Sequence, residues 1–442
     1  MIDCAIILAG GKGTRLASVA GTVPKVLVPV GGRPVLAHQL DLLSAAGYTD
    51  VRIFAGHLAE QIEAFVSATQ WPNLKIQIEI ETTPLGSAGA VIEKLDSLPE
   101  QFTVLYGDTM LAVDLPRMAL FHNEHDADVT IFVHPNDHPH DSDLVETDAE
   151  GQVTALHSYP HPAGACFRNL VSAALYGVRR ESLRPWAGRS EKCDFAKNVF
   201  PALLASGGAL HAYLSHEYIK DMGTPDRLKK VERDWAAGRI AVGRAATPVP
   251  VVFLDRDGTL NAENGHIRSP DQLRLLPNVP QALRLMRETG YRLVVLTNQP
   301  VIARGEATEA DLAAIHRKLE WELGLESAYL DAILHCPHHP DSGFPGERSE
   351  LKVICHCRKP ATGLLNMASA QFPIDVTRSW MIGDTTIDME LARRAGLRSI
   401  LVQTGSAGRD GKFPAATPDF SATGLMEAAE IIANAGKPLS EV

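Results

Sequence analysis

The chain has 442 residues, too many for one ordinary core and enough for two or three domains. Its 45% hydrophobic and 21% charged residues suit a soluble globular enzyme, and a formal charge of −11 argues against a nucleic-acid or anionic-membrane partner. Six cysteines are too few for a disulfide framework, no apolar run has the roughly 18 residues of a bilayer span, and the N-terminus lacks a basic segment ahead of an apolar one; a cytoplasmic chain is expected.

Cys4 to Ala9 predicts a buried parallel strand that runs into Gly10-Gly11-Lys12-Gly13-Thr14-Arg15. A helix is expected from Val35 to Ala46, a strand from Val51 to Ala55, a helix near Leu58 to Ala68 and a strand from Lys75 to Glu81. Val104-Leu-Tyr-Gly-Asp108 is again apolar strand, then acid. Residues 111 to 220 read as less regular, with a loop at His157 to Arg168, and Pro225 to Ala237 as a polar helical tail. A linker falls at 237–248, between domains at 1–236 and 249–442. The alternation then resumes with a strand running from Val249 into Asp255 and Asp257, a helix at Pro277 to Thr289 and a strand at Arg292 to Leu296. A helix at Glu309 to Leu323 and strands at Ala332 to Leu334, Trp380 to Ile382 and Arg398 to Val402 complete it. Strands alternating with helices predict an α/β chain of two doubly wound, mainly parallel-sheet domains.

The glycine-rich turn after the first strand offers backbone N–H groups and the cations Lys12 and Arg15 around one concavity, the makings of a phosphate cradle. Its spacing is neither that of a P-loop nor that of a dinucleotide fingerprint. With Pro24-Lys25-Val-Leu and Gly32-Arg-Pro34 it resembles the sugar-1-phosphate nucleotidyltransferases, over about residues 4 to 235. The resemblance implies that Gly10 to Arg15 hold a nucleoside triphosphate, with Arg15 and Lys25 as cations on its phosphates. It implies base recognition by the loop Glu81-Thr-Thr-Pro-Leu-Gly86, and Mg²⁺ on Asp108 and Asp221. Such a transfer needs positioning and charge neutralisation more than a covalent nucleophile. Within the family the likeness is to guanylyltransferases acting on mannose- or heptose-1-phosphates. Ser172, Ala174 and Ala196 depart from its usual sugar-side residues, while Lys197 is retained as a contact to the sugar's phosphate.

Asp255-Arg-Asp257-Gly-Thr259 ends a strand with two acids that strand alternation points the same way, where α/β sheets bind ligands, and Mg²⁺ with a phosphate would relieve their repulsion. Followed by Thr297-Asn298-Gln, Lys359 and Gly383-Asp384 with Asp388, it resembles the haloacid dehalogenase superfamily over about 249 to 415. The resemblance implies Asp255 as nucleophile and Asp257 as acid, then base. Thr297 and Lys359 would hold the phosphoryl oxygens. Mg²⁺ would lie on Asp255, Asp384 and the backbone carbonyl of Asp257. Two soft pairs, Cys336-Pro-His338 and Cys355-His-Cys357, match a closed tetrahedral Zn²⁺ site, with His339 and His356 as spare candidates.

A zinc loop in such a domain looks like the heptose 1,7-bisphosphate phosphatases, with histidinol-phosphate phosphatases as near competitors. It implies Asn298 at the substrate and Arg304 and Arg358 as clamps on its second phosphate. Together the halves imply a bifunctional enzyme of nucleotide-activated heptose synthesis, with GTP and sugar phosphates as its partners. A homo-oligomer is compatible with the sequence. The alternatives are a mannose-1-phosphate guanylyltransferase fused to an unrelated phosphatase, and a non-catalytic nucleotide sensor.

Overall fold

The structure, a computed structural model, describes residues 2–11, 15–16, 21–189, 191–243, 246–263 and 265–435. Two compact units result: Met1–His134 with Asp143–Tyr159 and Val171–Ala245, and Pro135–Ser142 with Pro160–Leu170 and Ala246–Val442. Two short segments inside the expected first domain therefore pack with the second unit. The expected linker holds a short helix, Arg239–Val242.

In the first unit the strands are β1 (Cys4–Ala9), β2 (Pro29–Val30), β3 (Arg33–Pro34), β4 (Asp50–Ala55), β5 (Lys75–Ile80), β6 (Gln101–Tyr106) and β7 (Thr109–Ala112). They continue with β8 (Val129–His134), β9 (Leu144–Thr147), β10 (Val153–His157), β11 (Val171–Arg179), β12 (Leu210–Leu214) and β13 (Tyr218–Asp221). The main sheet runs β10-β9-β11-β6-β1-β4-β5, with β8 and β12 added beside β11. β1 pairs in parallel with both β4 and β6, so the chain reverses its winding there. Ligands bind α/β sheets outside the carboxyl ends of strands at such a switch. Gly10 follows β1 and Asp108 follows β6, which places both at that end. β11 departs from the parallel pattern, pairing antiparallel with β6, β8 and β9 and carrying an irregularity between Ser172 and Tyr176. Residues 111–220 thus hold regular strands where the sequence suggested little order.

The second unit's sheet comprises β14 (Val251–Leu254), β15 (Arg292–Asn298), β16 (Ala332–Cys336), β17 (Trp380–Gly383), β18 (Arg398–Val402) and β19 (Phe420–Ala422). Its order, β16-β15-β14-β17-β18-β19, is parallel throughout, with the switch at β14. All four residues of β14 are buried because helices cover both faces, which is why the strand reads as a continuous apolar run. Val252 and Leu254 join one core cluster and Val251 and Phe253 the other, as a period of two requires. The helix Val279–Glu288 buries Val279, Ala282, Leu283 and Met286, an i, i+3, i+4, i+7 stripe. Beyond β17 the helix Thr386–Ala395 starts with a capping box between Thr385 and Asp388, which fixes Asp388 one turn past Asp384.

Candidate active sites

At the carboxyl end of the second sheet, Asp255 follows β14 and its N–H donates to the carbonyl of Ile382 at 2.9 Å. Lys359 Nζ donates to Asp255 Oδ1 at 2.8 Å and to Asp388 Oδ1 at 2.6 Å. Burial pushes the Asp255 carboxyl up to about 7, with Lys359 opposing and Asp388 and Asp257 adding to the rise. Burial alone would lower the Lys359 ammonium, but Asp255 and Asp388 more than offset it and hold it charged. Lys359 is itself oriented through its backbone: its N–H donates to Asn298 Oδ1 at 2.9 Å and its carbonyl accepts from Asn298 Nδ2 at 3.1 Å. Asn298 therefore acts here as a brace for Lys359.

Asp255, Asp384 and Asp388 each offer a carboxylate oxygen within 4.8 Å of the others. Burial raises the Asp384 carboxyl to about 8, and the nearby Asp255 adds to it. Asp384 Oδ2 accepts from the Ser406 N–H at 2.6 Å, whereas Oδ1 is buried with no partner among the described residues. A buried carboxylate oxygen without a donor costs free energy that a cation would recover, and an all-oxygen donor set suits Mg²⁺. Gly258 at φ +82° comes so close that a Cβ there would meet Asp384 Oδ2 at 2.4 Å.

Asp257 behaves differently from the expectation of two acids facing one way. β14 ends at Leu254, so Asp257 lies in the turn, and strand alternation does not govern it. Its carboxylate accepts from Arg256 Nη2 at 2.8 Å, Gln299 Nε2 at 2.9 Å and Asn261 Nδ2 at 3.0 Å. Burial would raise this carboxyl, but Arg256 and the two amides hold it below the usual range. Its carboxylate is thus engaged by three donors, which leaves the backbone carbonyl as its expected metal contact; the third carboxylate of the cluster is that of Asp388. Thr297 is buried, its Oγ1 accepting from Gln299 Nε2 at 2.8 Å. Arg256, Asn261 and Gln299 were not anticipated as site residues. Arg256 follows Asp255, and Gln299 is two residues past Thr297, but no spacing rule says that they turn inward.

Cys336, His338, Cys355 and Cys357 converge, with Sγ–Sγ separations of 3.5, 3.1 and 3.4 Å and His338 Nδ1 3.3 Å from Cys357 Sγ. Three sulfurs and one imidazole nitrogen at these edges form the corners of a tetrahedron fit for Zn²⁺. The spare histidines are otherwise placed: His339 Nδ1 accepts from the Asp341 N–H at 3.1 Å, and His356 is exposed. Arg358 is tied to the cluster, its N–H donating to Cys355 Sγ at 3.3 Å and Nη1 to the His338 carbonyl at 3.2 Å. Arg304 lies against Phe344, its Cζ 4.4 Å from the ring centroid.

In the first unit β7 and β13 pair so that Asp221 lies opposite Thr109, and the Met222 N–H donates to the Asp108 carbonyl at 2.9 Å. The two acids are thereby neighbours across a ladder. Lys25 Nζ is 3.0 Å from Asp108 Oδ2, and Arg227 Nη1 is 2.8 Å from Asp221 Oδ2. Arg15 reaches the same place, its Nη2 3.6 Å from where a Cβ on Gly223 would stand. Arg227, in the first turn of the helix Pro225–Ala236 that follows β13, was also not foreseen. Gly10 lies against the Glu81 carboxylate, where a Cβ would come within 2.7 Å of Oε1, and Gly11 is exposed. Burial raises the Glu81 carboxyl. Gly86, at φ +85°, packs on the backbone of Cys193, a reason for glycine separate from any ligand. Lys197 is exposed and its N–H caps on Asp194 Oδ1 at 3.2 Å. Lys12, Gly13 and Thr14 lie outside the described residues.

A nucleotidyl transferase family model matches residues 4–238, and a HAD-hydrolase-like model matches 356–428. The D-glycero-beta-D-manno-heptose-1,7-bisphosphate 7-phosphatase of Salmonella typhi is 40% identical over 161 residues, 36% of this chain and 84% of that protein. The chain belongs to the nucleotidyl transferase family, fused to a HAD-like phosphatase. The phosphatase of the same name from Rhodopseudomonas palustris is 36% identical over 148 residues, covering 34% of this chain and 80% of that one. The crystal structure of HddC from Yersinia pseudotuberculosis matches with a TM-score of 0.46 and 23% identity, over 53% of this chain and 100% of that one. The fused nucleotidyl transferase and phosphatase halves make the chain an enzyme of both classes. Among the described residues no helix is long and apolar enough to cross a membrane.

Proposed function

We propose that the C-terminal unit removes the 7-phosphate of D-glycero-D-manno-heptose 1,7-bisphosphate. The N-terminal unit then transfers GMP from GTP to the resulting heptose 1-phosphate, giving GDP-heptose and pyrophosphate. The observation that carries this is the fusion of two units that each retain a set of acids and cations suited to phosphoryl chemistry. One unit's product is a substrate of the other's class.

In the phosphatase step Asp255 attacks the 7-phosphorus and the sugar alkoxide leaves with a proton from Asp257. Lys359 and Thr297 hold the phosphoryl oxygens as charge shifts onto them. Water then attacks the aspartyl phosphate, Asp257 takes its proton, and inorganic phosphate leaves Asp255 free. Arg256, Asn261 and Gln299 keep Asp257 ionised in the free chain, the state that serves as base. A dianionic phosphate beside it would raise its pKa and favour the acid. Mg²⁺ held by Asp255, Asp384 and the Asp257 carbonyl would neutralise the phosphoryl charge.

In the transfer step an oxygen of the sugar 1-phosphate attacks the α-phosphorus of GTP and pyrophosphate departs. Asp108 and Asp221 would hold Mg²⁺, and Arg15 and Lys25 would bind the phosphates. Zn²⁺ on Cys336, His338, Cys355 and Cys357 would be structural, and unpaired cysteines suit the reducing cytoplasm. The GDP-sugar would serve assembly of a surface glycan such as lipopolysaccharide.

The test is phosphorus NMR of the full chain with heptose 1,7-bisphosphate, GTP and Mg²⁺. Orthophosphate followed by a GDP-sugar is expected, and the appearance of neither ends the reading. A second reading has a specific motive, since the phosphatase relatives are named for the β anomer. The resemblance to guanylyltransferases points instead to GTP and the α anomer, so both anomers are supplied with GTP and with ATP. Mannose 1-phosphate in place of heptose 1-phosphate tests the remaining alternative.

A further inference from the structure

Residues 339–354 join the two halves of the Cys/His cluster, and within them 343–352 form a loop closed on itself. Glu347 accepts the N–H groups of Gly343 and Phe344, each at 2.9 Å, and Lys352 Nζ is 3.4 Å from the same carboxylate. The loop is also fixed against the segment after β15. The Arg348 N–H donates to the Ala303 carbonyl at 3.0 Å, and a Cβ on Gly305 would come within 1.9 Å of the Gly346 carbonyl oxygen. Between these anchors the Phe344 ring carries two cations, Arg304 with Cζ 4.4 Å and Lys352 with Nζ 4.5 Å from its centroid.

Arg304 has a further property. Its Nη1 lies 3.3 Å from His266 Nε2, while its Nε is buried with no hydrogen-bond partner among the described residues. A buried guanidinium N–H without an acceptor costs free energy unless a ligand supplies one. A guanidinium held over an aromatic ring keeps the N–H groups of its edge for a bidentate contact to an anion such as phosphate.

We propose that Phe344 is a positioning residue that aims Arg304 at the non-reacting phosphate of a sugar bisphosphate and so sets the preference for bisphosphates over monophosphates. The proposal rests on the reading of the substrate given above. Phe344 touches Arg304 and not the reacting atoms, so its effect belongs in KM rather than kcat.

Phosphate release by the full chain is measured on heptose 1,7-bisphosphate and on heptose 7-phosphate, which keeps the reacting phosphate and lacks the other. Phe344→Leu removes the π face at similar volume, and Phe344→Tyr keeps it. For Phe344→Leu the ratio of kcat/KM, bisphosphate over monophosphate, falls about tenfold through KM, within the range of a cation–π contact. Phe344→Tyr restores the ratio to within about twofold of wild type. An unchanged ratio in Phe344→Leu, or a loss in kcat equal on both substrates, overturns the proposal while leaving the substrate reading intact. Absence of wild-type turnover on the bisphosphate overturns both.

Discussion

Lys359 Nζ stands 2.8 Å from Asp255 Oδ1, an ion pair nearly sealed from water, with side-chain exposures of 3% and 12%. The same ammonium reaches Asp388 at 2.6 Å, so one cation serves two of the three acids that crowd together. Lys359→Met leaves those acids uncompensated, and breaking a buried pair in this way costs about 3–5 kcal/mol. The variant is expected to lose phosphate release by about a thousandfold, the scale of a lost electrostatic stabiliser. Its melting transition should fall while nucleotidyl transfer persists. A variant with wild-type phosphate release would show that Lys359 is only structural.

Asp255→Asn separates nucleophile from bystander. The amide keeps the hydrogen-bonding shape but cannot form an acyl phosphate. Rapid quench with labelled substrate should trap phosphoprotein in the wild type and none in the variant. Labelled phosphoprotein in Asp255→Asn would move the role to another acid.

The neighbouring acids of the first unit lead to the opposite dissection. Asp108→Asn removes a charge from the pair with Lys25 and from the proposed Mg²⁺ site. Nucleotide transfer is expected to drop by about a hundredfold or more, with phosphate release from the bisphosphate unaltered. Equal loss of both activities would mean that the substitution acts on folding instead.

The parallel strands ending in acids were legible in the sequence because burial on both faces writes them as unbroken apolar runs. Val251 to Leu254 before Asp255 is the clearest instance. The convergence of Cys336, His338, Cys355 and Cys357 was legible because they come in close pairs. What surrounds Asp257 was not, since the inward turn of Arg256 and the reach of Gln299 depend on the fold of a turn. Nor was β11, whose antiparallel pairing and irregularity at Ser172 to Tyr176 blur any period. Arg227 escaped because a helical polar residue usually faces water, and its pairing with Asp221 depends on how the chain folds.

The thiol and imidazole cluster predicts about one zinc per chain by elemental analysis of the protein purified without chelator. Cys355→Ser should lower that content and the melting temperature of the phosphatase half. Its effect on phosphate release should appear in KM, because Arg358 is held by the Cys355 sulfur at 3.3 Å. Full zinc content in a variant lacking two of the three cysteines would refute the site.

His122 gives a pH dependence unrelated to any of the three proposed metal sites. It is fully buried, its Nδ1 2.8 Å from Thr130 Oγ1 and its Nε2 without a partner among the described residues. Burial, with Arg179 nearby, pushes the imidazole down to about 4 from its ordinary 6.5. Between those values the unfolded chain binds a proton that the folded chain does not, so stability falls as pH falls. The contribution is present above pH 6.5 and is lost progressively down to about pH 4. A shift of this size corresponds to about 3 kcal/mol over that window. His122→Asn can still hydrogen-bond Thr130 but has no proton to take up. Urea unfolding should therefore show wild type losing about 2–3 kcal/mol more than His122→Asn on going from pH 7.5 to pH 4.5. Parallel losses in the two proteins would show that the imidazole does not resist protonation in the folded state.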